Sequence, residues 1–237
     1  VISVDKTGKL KVHTTKTASA VITASYGPVV QNVTVTVADG RFWYSLGNGL
    51  GNGLDNNWYL DGNNASVVSS DGNKTTVQMG SGYRGDLWLA RSGKGKIVNV
   101  TPADYRYFAI KVGFKSQLVP GKNKPNGCIK LEIFDDGIKK IGPEYFGTGG
   151  DANNRYEILG ASEISTTEPN VLYYDLQSKY KTVTPTDWNQ VFDLVQCKFV
   201  IADFPETAQT YDLYWIRSFK SIEELQAFVD SENNTNE

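Results

Sequence analysis

YRYFAIKVGF, residues 105–114, alternates without a break: Phe108, Ile110, Val112 and Phe114 fall on one side, Tyr107, Ala109 and Lys111 on the other. A period of two means a β-strand with one face turned into a core, since successive side chains leave an extended backbone in opposite directions. The same reading extends outward. Leu87 and Leu89 point inward and leave Asp86 and Trp88 outward; Ile129, Leu131 and Ile133 point inward and leave Lys130 and Glu132; Leu172, Tyr174 and Leu176 point inward and leave Tyr173 and Asp175. Strands are expected at 42–45, 65–69, 74–79, 86–91, 105–114, 128–134, 156–159, 171–177, 195–202 and 211–218, separated by Gly/Asn-rich turns. Short strands at such intervals, with no βαβ rhythm, predict an all-β fold: a two-sheet sandwich of jelly-roll type.

The two ends read differently. Before Arg41, β-branched alternation (Val21 and Thr23 against Ala20, Ile22 and Ala24; then Val33, Val35 and Val37) is joined at Tyr26-Gly27-Pro28, a turn signal. At the other end, Ser221-Ile222-Glu223-Glu224 is a capping-box pattern, and Ile222, Leu225, Phe228 and Val229 share one helical face. This helix is expected to close an end of the sandwich. The division is therefore 1–39, 40–230 for the sandwich with its short C-terminal helix, and a frayed tail at 231–237.

Composition narrows the functions. With 24 basic and 26 acidic residues scattered along 237, the net charge is -2 and no basic block invites nucleic acid or an anionic membrane. No apolar run approaches the roughly 20 residues that span a bilayer, so direct membrane insertion is not expected, and no signal segment opens the sequence. A single His, His13, removes most metal and acid–base constellations. Cys128 and Cys197 have no metal-ligand spacing and leave room for at most one disulfide; both lie in apolar alternations and read as core thiols.

Catalytic motifs are weak. The run Gly47 to Leu54 (GNGLGNGL) lacks the Lys-Ser/Thr ending of a phosphate-binding loop and reads as a surface loop. A Ser-His-Asp arrangement would need His13, far from the main domain. A glycosidase would need two carboxyl groups about 5–10 Å apart, for which Glu132, Asp175 and Asp212 are the strand acids available, and solvated or paired carboxylates are the simpler reading. Asn-x-Ser/Thr occurs at Asn32, Asn64, Asn73, Asn99 and Asn233, acceptors for glycosylation only in a eukaryotic secreted protein.

Aromatic residues make up 12% of the chain, including 13 Tyr and 5 Trp. A sugar ring offers apolar C–H faces and a rim of hydroxyls, so its site wants an aromatic plane beside directional hydrogen-bonding groups. Strand parity selects Trp88, Tyr107, Lys111, Glu132, Tyr173 and Asp175 as the outward set. Trp58, Tyr83 and Arg84, in Asn/Gly surroundings, form a second rank, whereas Trp43, Trp188 and Trp215 sit in apolar patterns and read as core.

Two resemblances add to this. VISVDKTGKLKV, ASAVITASYG and VTVTVADG resemble the second half of a bacterial group 2 immunoglobulin-like domain, which would make residues 1–39 part of a spacer whose other strands are not in this sequence; a hairpin pairing with the main domain is the alternative. DYRYFAIKVGF, VQCKFVIADF and TYDLYWIRSFKSIEELQAF resemble the carbohydrate-binding-module-like jelly rolls of surface glycan-binding lipoproteins in gut Bacteroidetes, over about 41–229. This second resemblance implies non-catalytic polysaccharide or oligosaccharide binding at the outer membrane, with a glycan as partner and a place in a surface glycan-uptake complex. Related sandwiches hold a structural calcium, for which Asp212 could serve; no other cofactor is implied. A protein-interaction module of a surface adhesin and a glycoside hydrolase are the rival functions.

Overall fold

The computed structural model describes residues 2–12, 18–37, 40–51, 57–61, 65–79, 85–90, 98–101, 103–117, 130–135, 144–146, 156–177, 192–201 and 209–234. Two separate hairpins come first, β1 (Ile2–Val4) with β2 (Leu10–Val12), and β3 (Ala18–Tyr26) with β4 (Val29–Val37). Asp5 shapes the first turn by accepting from the Thr7 and Lys9 backbone N–H groups. Neither hairpin pairs with a strand of the main domain among the described residues.

The sandwich begins at Gly40, whose φ of +76° and tight approach to Thr101 leave no room for a side chain. Thirteen strands follow: β5 (Trp43–Ser45), β6 (Tyr59–Asp61), β7 (Ser66–Ser70), β8 (Thr75–Gln78), β9 (Gly85–Ala90), β10 (Val98–Val100), β11 (Tyr107–Phe114), β12 (Lys130–Asp135), β13 (Glu144–Phe146), β14 (Glu157–Ile158), β15 (Asn170–Asp175), β16 (Phe192–Ile201) and β17 (Thr210–Phe219). They form two antiparallel sheets. The first has the order β14-β15-β11-β17-β8-β7, with β5 also on β17; the second has β13-β12-β16-β9-β6, with β10 on β16. The chain passes repeatedly between sheets, so β8, β11, β15 and β17 belong to one while β9, β12 and β16 belong to the other.

Period-two burial explains the pairing of layers. Phe108, Ile110, Val112, Leu172 and Tyr174 from the first sheet join Leu87, Leu89, Leu131, Ile133, Cys197 and Phe199 from the second in one core. Trp58, expected in a loop, is fully buried here, edge-on to Phe42 and Tyr44. Its flanking asparagines describe the approach to β6, a strand too short to announce itself. Trp43 departs in the opposite sense and is 44% exposed on the edge strand β5. Cys197 is buried in the core, while Cys128, Trp188 and His13 lie outside the described residues.

Helix α1 (Ile222–Asn234) packs flat on the outer face of the first sheet instead of closing an end. That face is apolar at its centre: Ala109, Val171, Trp215 and Phe219 are buried beneath Leu225, with Phe228 and Val229 beside it. Ala109, small and central, lets the helix come close. Ser221 caps it, its Oγ accepting from the Glu224 N–H at 3.2 Å, and the Glu224 carboxylate reaches back to the Lys220 N–H at 2.7 Å. The helix continues to Asn234, through residues expected to fray. Glu232 anchors the last turn by accepting from Lys111 Nζ (3.0 Å) and Trp215 Nε1 (3.1 Å).

Candidate functional site

Register sorts the candidates onto two surfaces. Tyr107 lies opposite Asp175 and Phe219, Ala109 opposite Tyr173 and Arg217, and Lys111 opposite Val171 and Trp215. Tyr107, Lys111, Tyr173 and Asp175 thus share the outer face of the first sheet, as their parity predicted. Trp88 and Glu132 belong to the second sheet, both paired with Lys198 of β16. The outward set chosen by parity is thus divided between two sheets, because alternation tells inside from outside and is silent on which sheet a strand joins.

Trp88 offers no open plane. It is 7% exposed, with the Lys198 ammonium 4.4 Å from its ring centroid, and Lys198 in turn meets Asp86 at 2.9 Å. A buried cation on a ring and a buried carboxylate on that cation make a packed unit in which each charge offsets the other's desolvation. Trp58, in the core, is likewise withdrawn from ligand. The Glu132 side chain, Tyr83 and Arg84 lie outside what is described.

On the outer face of the first sheet, α1 covers the middle and leaves a cleft along one flank. Its volume is about 840 Å³, within the usual range for small-ligand sites. Lys111, Val171 and Tyr214 line the sheet side, Gln226, Val229, Asp230 and Asn233 the helix, and residues 158–161 with Ser165, Glu168 and Asn170 the remaining wall. The helical set recurs at i, i+3, i+4 and i+7, one face of a regular helix. The wall is stiffened by Asn170, which is buried: its Oδ1 accepts from the Ser165 N–H at 2.8 Å and its Nδ2 donates to the Ser165 carbonyl at 2.9 Å.

A bulge supplies the aromatic of the cleft. Lys111 pairs with Trp215 but Val112 pairs with Leu213, so Tyr214 is an extra residue on β17. Its carbonyl accepts from the Leu46 N–H at 2.9 Å, and its ring lies 5.6 Å from Lys111 Nζ. Burial pushes its phenol up from the ordinary tyrosine value. At the other end, Tyr173 follows Val171 by two residues on the same face, about 7 Å further on, and makes an edge-on pair with Tyr107 at 6.2 Å. Both rings are half-buried. Burial, then the nearby Glu157, raise the Tyr173 phenol. Asp175 beside them is engaged by Arg106 through two 2.6 Å hydrogen bonds.

Asp212, the sequence's candidate calcium ligand, is instead a structural acceptor. It is 2% exposed; one oxygen takes Lys74 (2.8 Å) and Lys115 (3.0 Å), the other the Thr76 hydroxyl (2.7 Å). Burial would raise its carboxyl, yet these three donors together hold it below the ordinary value. An oxygen set already facing two ammonium groups is a poor cation site. Among the described residues no group of three or more His, Cys, Asp or Glu could hold a metal.

Sequence reasoning missed Tyr214 and the helical lining Gln226, Asp230 and Asn233. Tyr214 was hidden because a bulge reverses parity locally, and the helical set because α1 was expected at an end of the sandwich.

Fold and cleft together define an all-β, antiparallel sandwich protein with a helix laid over one sheet and a polar cleft along the helix. The chain belongs to the family described as "Domain of unknown function (DUF4979)", which matches residues 49–225, about three quarters of its length. No curated protein and no solved structure matches it.

Proposed function

We propose that this protein binds a polysaccharide or oligosaccharide without catalysis, along the flank of α1, as part of glycan capture at a bacterial cell surface. The observation that carries the reading is the juxtaposition of the 840 Å³ cleft with the Tyr107–Tyr173 pair on one continuous sheet face. Tyrosine rings offer a sugar its apolar contact, and Gln226, Asn233 and Ser165 offer donors and acceptors in fixed directions. The walls are a sheet, a capped helix and a loop pinned by Asn170, so the site is largely preformed. Weak affinity per site, amplified by tethering, suits a captured polymer. The resemblance of residues 41–229 to surface glycan-binding modules points the same way, and the immunoglobulin-like texture of residues 1–39 suits a spacer.

The test is affinity gel electrophoresis and isothermal calorimetry of the full chain against plant, algal, yeast and host polysaccharides. At least one ligand is expected, with Tyr173→Ala weakening it about fivefold or more, since one lost stacking contact amounts to about 1 kcal/mol. Silence across all four sources sinks the reading.

A second reading, a protein-interaction module, draws on the β3–β4 hairpin, where Tyr26 is 89% exposed and Val21 and Val33 are 62% and 59% exposed. Of the three acids named for a hydrolase, Glu132 and Asp175 stand in different sheets, Asp175 is engaged by Arg106 and Asp212 by two lysines, which does not favour that alternative.

A further inference from the structure

The charges along the trough have a sign that composition hides. Its cations are already engaged: Lys111 with Glu232 (3.0 Å), Arg106 with Asp175 (2.6 Å), and Lys74 and Lys115 with Asp212 (2.8 and 3.0 Å). Its carboxylates are not matched in the same way. Glu168 and Asp230 line the cleft and Glu157 stands in register with Tyr173, and none of the three is in an ion pair among the described residues. Asp230 accepts only a neutral amide, Gln226 Nε2, at 2.8 Å. The cleft also runs along the last turns of α1, the partially negative end of the helix, where the last turn contains no basic residue. Lys111, the one cation lining the cleft among the described residues, is held by Glu232 and contributes little net field.

We infer that the trough selects neutral oligosaccharides and rejects acidic ones such as uronate or sulfate polymers. The inference rests on the glycan-binding reading and names its ligand class. A uronate carboxylate seated near Glu168 or Asp230 would bring two like charges together in the cleft, and among the described residues the ammonium and guanidinium groups along it are already engaged by carboxylates. A neutral sugar meets the same carboxylates as hydrogen-bond acceptors for its hydroxyl groups, the use to which a directional acceptor is suited.

The experiment compares neutral polymers (xylan, laminarin, mannan) with acidic ones (polygalacturonate, alginate, chondroitin sulfate) by affinity electrophoresis and calorimetry of the full chain, at about 20 and 300 mM salt, where the Debye length falls from tens of Å to several Å. Binding to at least one neutral polymer, with affinity changing less than about twofold between the two salt concentrations, is expected. Acidic polymers are expected to bind at least about tenfold more weakly, the scale of a single repulsive contact near a protein surface. The double variant Glu168→Gln with Asp230→Asn should narrow that gap several-fold, and the salt series on the unaltered chain decides the matter independently if the variant folds poorly. Tight, salt-sensitive binding of an acidic polymer overturns the ligand class and leaves glycan binding standing. No binding to either set overturns both.

Discussion

At the scale of single residues, the molecule distinguishes polar groups that hold it together from those that face the cleft. Asp212 is of the first kind, since the two lysines and the threonine on it join β8 to β17 and to the chain just beyond β11. Because its folded carboxyl is held below the ordinary value, its stabilisation is fully present above the unfolded carboxylate range and is lost as pH falls through the lowered folded value. Asp212→Asn should cost about 2 kcal/mol at pH 7. It should also flatten the acid limb of stability, so that urea midpoints at pH 7 and pH 3 differ less in the variant than in the unaltered protein. Trp58→Ala, removing a fully buried indole from the core, should cost about 3–5 kcal/mol by urea unfolding. The same change at half-exposed Trp43 should cost distinctly less, although Arg41 and Arg217 lie over its ring at 4.0 and 4.4 Å. This pair also marks a limit of the sequence, because apolar neighbours suggested that Trp43 was core and asparagines suggested that Trp58 was loop. An indole's burial depends on what crosses over it, and local composition does not carry that.

Among the elements, α1 shapes the cleft and its attachment can be measured. Leu225 is fully buried under the helix against Ala109 and Phe219. Leu225→Ala should cost about 3 kcal/mol, and Ser221→Ala, which removes the cap, about 1 kcal/mol. Both should weaken the proposed glycan binding more than their distance from the cleft suggests, since they loosen its wall; hydrogen exchange over 222–234 would report the loosening directly. The ten strands expected from alternation all appear within a few residues of their expected limits, because β-branched and aromatic alternation is a strong local signal. Strands β6, β10 and β13, three residues each, were not expected, and length alone does not account for it, since β5 is as short and β14 shorter. The helix face was equally legible, but its berth was not, since the apolar floor of Ala109, Val171 and Trp215 comes from three strands far apart in the sequence. For the same reason parity named Tyr107, Lys111, Tyr173, Asp175, Trp88 and Glu132 alike as outward and left open that Trp88 and Glu132 belong to the other sheet: pairing between distant strands leaves no trace in the pattern of either.

For the whole molecule, the pairing is partitioned near Gly40. Among the described residues the two hairpins pair only within themselves, whereas β5 to β17 are joined in the two sheets of the sandwich. A fragment comprising residues 40–237 should therefore keep the thermal midpoint and the proposed glycan affinity of the full chain within error; a drop in both would show that the hairpins brace the sandwich. Position along the chain has a further consequence. β17, after which no strand follows among the described residues, lies inside its sheet and pairs with β11 on one side and with β5 and β8 on the other. A nascent polypeptide that has not yet delivered Thr210–Phe219 leaves those three earlier strands without their common neighbour, so the first sheet cannot be completed before that stretch has been made.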